Sequence, residues 1–118
     1  MVRVVHFELG VDDPARAGAF YQQVFGWNVT KWDGPFAYWM VKTGEAPASG
    51  IDGGIVPRSD LVKTTVITLD VTDIDLTLAQ VVAHGGKTLA PKMPIGDMGY
   101  IAYFQDTEGN VVGLWQNA

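Results

Sequence analysis

The sequence predicts an α+β fold of two tandem βαβββ modules, forming a curved mixed sheet around a central cleft with the helices outside. Three observations predict it. Each half of the chain begins with period-two apolar alternation, an amphipathic helix follows each alternating segment, and strand-like segments fill the rest of each half. The halves also match point by point at an offset of 60: Leu9 with Leu69, Val11 with Val71, Asp13 with Asp73 and Gly26 with Gly86. Identities are few, but caps, stops and stripes coincide, and an internal duplication explains this most simply.

Residues 4–11 place Val5, Phe7, Leu9 and Val11 on one strand face and Val4, His6, Glu8 and Gly10 on the other. Asp13 before Pro14 reads as a helix cap followed by proline at the first helical position. Ala17, Phe20, Tyr21, Val24 and Phe25 then form an apolar stripe, which Gly26 ends. Strand-like segments follow at 27–32, 37–42 and 50–56, and the polar stretch 57–63 reads as a linker. The second half repeats the grammar. Residues 66–71 alternate, Asp73 caps, Ile74, Leu78, Val81 and Val82 make the stripe, and Gly85-Gly86 stops it. Segments 87–90, 100–105 and 111–115 are strand-like, with strong turn chemistry at 106–110. Residues 91–99 read as a long connection, either a surface loop or a lid. The whole is one domain, with module 1 at about 1–58 and module 2 at about 64–118.

Composition narrows the function classes. Surface scaling for a chain of 118 residues gives roughly 6,300 Å² exposed when folded, against about 18,600 Å² unfolded, enough burial for a core. The chain is 47% hydrophobic and 18% charged, which argues against disorder. Thirteen acidic residues against eight basic ones give a net charge of −5, unfavourable for nucleic acid. No apolar run reaches membrane-spanning length, and the first residues lack a signal-peptide core, so no membrane partner and a cytoplasmic location are expected. The absence of cysteine removes thiolate metal sites and cysteine nucleophiles, and no Ser-His-Asp arrangement assembles.

The stretch His6-Phe7-Glu8-Leu9-Gly10-Val11-Asp12-Asp13, the helix end Phe20-Tyr21 to Phe25-Gly26-Trp27, and the turn Asp106-Thr107-Glu108-Gly109-Asn110 resemble the vicinal oxygen chelate superfamily. This is also called the glyoxalase/bleomycin resistance protein/dioxygenase fold. Gly53-Gly54-Ile55-Val56-Pro57-Arg58 and Gly113-Leu114-Trp115-Gln116 resemble an uncharacterised glyoxalase-like branch of it. The resemblance covers nearly the whole chain and implies the duplicated fold, a small-molecule ligand and a homodimer paired through strand edges. It fixes the reaction poorly, because the fold hosts lyases, dioxygenases, epimerases, transferases and pure binders.

Metal-dependent members carry four ligands on cleft-facing strands. The resemblance places these positions at His6, near Gly54, at Val66 and at Gly113, and only His6 can donate. A bound metal usually needs about three protein ligands, so no cofactor is favoured, a divalent metal being the minor alternative. A shifted, carboxylate-rich site of His6, Glu8 and Asp52 is the one rescue, and glycine at two ligand positions would enlarge a cleft. His6 is a candidate base or ligand anchor, or a structural histidine bonded to a neighbouring strand. Glu8 can orient or deprotonate a ligand, or pair with a nearby base. Asp52 lies among glycines that serve either a ligand or a bulge. Trp39, Tyr103 and Trp115 are the candidate ring walls, or core packing. His84 reads as a helix-end cap.

The expected protein binds a small, partly aromatic molecule in the cleft without the usual metal, through His6, Glu8, Trp39, Asp52, Tyr103 and Trp115. One alternative is an enzyme of the superfamily, either a metal-dependent lyase or dioxygenase with a shifted site or a metal-free isomerase using His6 or Glu8. The other is an interaction domain with a vestigial cleft.

Overall fold

The computed structural model describes residues 1–118. Eight strands and two helices follow in the order β1 (Arg3–Val11), α1 (Pro14–Phe25), β2 (Asn28–Lys31), β3 (Trp39–Lys42), β4 (Asp52–Pro57), β5 (Thr65–Asp70), α2 (Ile74–Ala83), β6 (Lys87–Ile95), β7 (Gly99–Gln105) and β8 (Val111–Asn117). The fold is α+β with mixed parallel and antiparallel pairing, as the alternation predicts. Contacts divide the chain into two compact units, residues 6–66 and residues 67–118 with 1–5.

In the first unit the strand order is β2-β3-β4-β1. β1 runs parallel to β4, with His6 beside Asp52, Glu8 beside Gly54 and Leu9 beside Ile55. β3 is antiparallel to β4, with Met40 beside Gly54 and Trp39 beside Ile55. Residues paired across strands share a face, so this register sorts the side chains. His6, Glu8, Met40, Asp52 and Gly54 share one face. Phe7, Leu9, Trp39, Val41, Gly53 and Ile55 share the other. Ile55 and Val41 are buried at the centre of that apolar face.

The sequence signals at the ends of α1 are realised. The Asp13 side chain accepts from the Arg16 amide at 3.1 Å, and Gly26 closes the helix at φ 73° with its N–H on the Gln22 carbonyl. The expected stripe is not the buried one. Phe20, Val24 and Phe25 are 53%, 56% and 59% exposed, and the one buried helical residue is Gly18. The cause is local: without a side chain, Gly18 lets Val29 of β2 come close, its methyl 3.2 Å from where a Cβ would lie. The bulky rings are thereby displaced to the flank, where Tyr21 stacks on Trp27 with centroids 4.9 Å apart.

The expected linker is packed against its own unit. The Arg58 guanidinium meets Asp12 at 2.8 Å and donates to the Lys63 carbonyl, Val62 is buried, and Gly10 donates to the Thr64 carbonyl at 2.7 Å.

In the second unit the order is β5-β8-β7-β6. β5 runs parallel to β8 with Thr68 beside Gly113, which repeats the Glu8–Gly54 pairing of the first unit. Val71, Ile74, Leu78, Ala102 and Leu114 form the core, with Leu69, Tyr100 and Phe104 against it. Full burial of a side chain such as Ile74 or Leu114 stabilises by about 1.5–3 kcal/mol. Asp73 caps α2 through the Leu76 amide at 3.0 Å, and Gln116 of β8 takes the Ile74 amide at 2.8 Å. His84 occupies the C-cap, and the left-handed residue after it is Gly85 at φ 96°, not Gly86.

Residues 91–99 differ most from expectation. The strand β6 continues to Ile95, and a tight turn with Gly96 at φ 53° leads into β7. Its prolines signalled a loop. They are tolerated because β6 is the edge of its unit's sheet and its register shifts between Thr88 and Ala90 and between Ala90 and Met93. The turn 106–110 is as expected. The Asp106 carboxylate accepts from the amides of Glu108 and Asn110 and from the Asn110 side chain, which holds it below the usual carboxylate range.

The folded chain exposes 7493 Å², roughly 1,200 Å² above the scaling value. The apolar side chains on α1 contribute to that excess. No helix is long and apolar enough to cross a membrane.

Candidate functional site

The polar face of the first unit holds the densest arrangement of reactive groups. His6 lies on β1. Tyr38 stands just before β3, where the Trp32 amide donates to its carbonyl at 2.8 Å and so extends the hairpin past the strand ends. Tyr38 is thus two residues from Met40, which pairs with Gly54, and its phenol lies diagonally across Gly54. A Cβ at Gly54 would collide with the Tyr38 hydroxyl and ring. The missing side chain is what admits the phenol, and the phenol reaches His6, with Oη 2.6 Å from Nε2.

Burial sets the protonation of this pair. Desolvation lowers the His6 pKa, opposed by the charge of Asp52. Desolvation raises the Tyr38 pKa well above its ordinary value, with the Glu8 charge adding to the rise. Both groups are therefore neutral near pH 7. A neutral phenol can donate to Nε2 or accept from it, according to which ring nitrogen carries the proton. Glu8 is only 3% exposed and its charge acts on Tyr38.

Of the six expected site residues, His6, Glu8 and Asp52 share this face. Asp52 is exposed and tied to the strand ends, accepting from the Thr43 amide at 2.9 Å and its hydroxyl at 3.3 Å. Trp39 falls on the opposite face, beside Ile55 and with the Lys31 ammonium 5.5 Å from its ring. Residue 39 is odd in the register where Met40 faces Gly54, so it cannot share a wall with His6. Tyr103 and Trp115 belong to the second unit, on the face of Thr68 and Gly113. There the Trp115 indole lies over Gly99 and donates to the Asn117 side chain at 2.9 Å. His84 ends α2, its Nδ1 2.9 Å from the Gln80 carbonyl.

Tyr38 was not among the expected site residues. Its signal was indirect: a mid-strand glycine, Gly54, with an aromatic two residues from its cross-strand partner. The expected enlargement by glycine is also reversed. The Phe7 ring occupies the space above Gly53, the Tyr38 phenol that above Gly54, and Thr68 and Tyr103 crowd Gly113, where the Thr68 hydroxyl oxygen is 2.9 Å from a Cβ position.

A metal at the family positions does not fit these residues. His6 is the one donor, its Nε2 is engaged by Tyr38, and that phenol fills the place of the Gly54 side chain. No three side chains of His, Cys, Asp or Glu come together elsewhere in a way that could hold a metal ion.

Two copies of a βαβββ unit, each with its first strand parallel to its last, define the duplicated glyoxalase class of folds. The chain belongs to the glyoxalase/bleomycin resistance protein/dioxygenase superfamily, whose family model matches residues 3–114. It is 32% identical over 119 residues to proteins of Mycobacterium bovis and Mycobacterium tuberculosis that carry the provisional name glyoxylase CFP32. That match takes in 92% of this chain and 43% of theirs, so the chain spans less than half the length of these relatives. In fold it resembles a methylmalonyl-CoA epimerase solved with methylmalonyl-CoA and NH4+, with a TM-score of 0.75, 19% identity, and 100% of this chain and 96% of that one covered. A methylmalonyl-CoA epimerase from Mycobacterium tuberculosis follows with a TM-score of 0.71, 13% identity, and 98% and 87% covered.

Proposed function

We propose that the protein binds a small, partly aromatic molecule on the polar face of the first unit, without a metal, using the Tyr38–His6 pair as its polar anchor. The observation that carries this reading is the 2.6 Å contact between the Tyr38 hydroxyl and His6 Nε2 above Gly54. It turns the position of a metal ligand into a neutral hydrogen-bonding pair. The Tyr38 oxygen keeps a lone pair for a ligand donor, and Glu8 supplies a carboxylate on the same face. Two copies of the chain pair through the exposed Phe20, Val24 and Phe25 of α1, which the area excess supports.

A second reading is metal-free proton transfer at the same face. The placement of Glu8 on the same strand face as His6, buried beside Gly54, favours it, since a carboxyl group there next to a phenol is a pair that can remove and return a proton.

Thermal shift against a panel of aromatic metabolites, with and without a chelator, tests the proposal. A binder at 100 times its dissociation constant stabilises by about 2.7 kcal/mol. The expected hit is unchanged by chelator and weakened by Tyr38→Phe and His6→Ala. Stabilisation that requires added divalent metal, with near-stoichiometric metal lost in His6→Ala, would overturn it.

A further inference from the structure

We infer that the loop between β2 and β3 is an aromatic subsite that takes a neutral planar ring bearing a hydroxyl or amino donor, with Trp32 and Phe36 as its walls and Tyr38 as its acceptor. The inference deepens the proposed function and rests on it. An open surface depression of about 460 Å³ is lined by residues 31–37. Three rings meet there edge to face: Trp32 and Phe36 at 4.9 Å and 63°, Trp32 and Tyr38 at 6.3 Å and 80°, Phe36 and Tyr38 at 6.4 Å and 85°. Such a cluster presents ring edges and faces together, the surface that a further aromatic ring packs against. Phe36 is 46% exposed, so it has packing area to give.

The wall is held by the loop itself. The Trp32 indole folds over Gly34, where any Cβ would collide with it. The charge balance selects a neutral ligand. Residues 31–37 contain one base, Lys31, and one acid, Asp33, and the Lys31 ammonium is drawn to Trp39 on the opposite face of the hairpin. The lining therefore carries no net charge to select a carboxylate. The Tyr38 ring packs against both walls, its hydroxyl is hydrogen-bonded to His6, and its oxygen keeps a lone pair that can accept from a donor on the ligand.

The test is titration of isotope-labelled protein with 2-naphthol, with 2-naphthoate and decahydro-2-naphthol as comparators. Four tryptophans give four indole N–H signals, and Trp32→Phe assigns the one in the loop. The expected result is a saturable shift of the Trp32 signal with Trp115 unmoved, and binding at least tenfold weaker for both comparators. Tyr38→Phe weakens 2-naphthol about tenfold, the loss of one hydrogen bond, and Phe36→Ala weakens it without disturbing His6. Equal binding of the naphthoate or the saturated alcohol overturns the inference. A silent Trp32 with shifts at the His6 and Tyr38 amides overturns the subsite and leaves the anchor standing. Silence at all of these residues counts against both.

Discussion

Gly54→Ala tests the packing at the heart of the site. A methyl there must displace the Tyr38 phenol, whose atoms occupy the position a Cβ would take. Breaking the Tyr38–His6 hydrogen bond costs about 0.5–1.5 kcal/mol, and overpacking adds about 1–3 kcal/mol. Against this, replacing glycine by alanine restricts the unfolded chain and returns about 0.4–1 kcal/mol. The net expectation is a loss of about 1–3 kcal/mol. In a Tyr38→Ala background the obstacle is gone, so the same methyl is neutral or slightly stabilising. The double-mutant cycle therefore carries a coupling of about 2–3 kcal/mol, within the range for residues in contact. Urea unfolding followed by circular dichroism measures it, a urea slope of about 1–3 kcal/mol per molar making the shift of order 1 M. A Gly54→Ala cost below about 0.5 kcal/mol, or one equal in both backgrounds, would refute the reasoning.

Further outcomes follow from other parts of the structure. Because burial lowers the His6 pKa, the native state binds fewer protons than the unfolded chain. The stability this contributes is full above the unfolded value of 6.5 and is lost as the pH falls toward the lowered one, a dependence that should flatten in His6→Asn when midpoints are compared from pH 5 to 8. The Asp73→Ala change removes the cap on the Leu76 amide and should cost about 1 kcal/mol by denaturant titration, leaving the Tyr38–His6 pair unchanged. Phe20→Asp places a charge on the exposed face of α1, and light scattering should show it converting paired copies to single ones with little loss of stability.

Much of the fold was legible because its determinants are local. Asp13 and Asp73 each precede a helix and cap it, and alternation along β1 fixes which of its residues share a face. The site was only partly legible because it depends on register between strands. Trp39 and Met40 are neighbours in sequence, and only the pairing of Met40 with Gly54 reveals that Trp39 faces away. Tyr38 was hidden for a different reason: its importance comes from the missing side chain of Gly54 on the neighbouring strand, which only the pairing of β3 with β4 brings beside it. The apolar stripe on α1 misled because periodicity cannot say that the small face, Gly18, packs inward. The prolines of β6 misled because breaking a strand and bulging an edge strand look alike in sequence.

The central claim is that Tyr38 and His6 form a neutral pair where the fold elsewhere holds a metal. Long-range nitrogen NMR of the His6 imidazole, recorded near neutral pH before and after one equivalent of zinc, addresses it most directly. The account predicts a neutral imidazole, an Nε2 held in the hydrogen bond to Tyr38, and spectra that zinc leaves unchanged. A stoichiometric zinc-induced shift of Nε2, with the Tyr38 signals moving as the phenol is expelled, would contradict it.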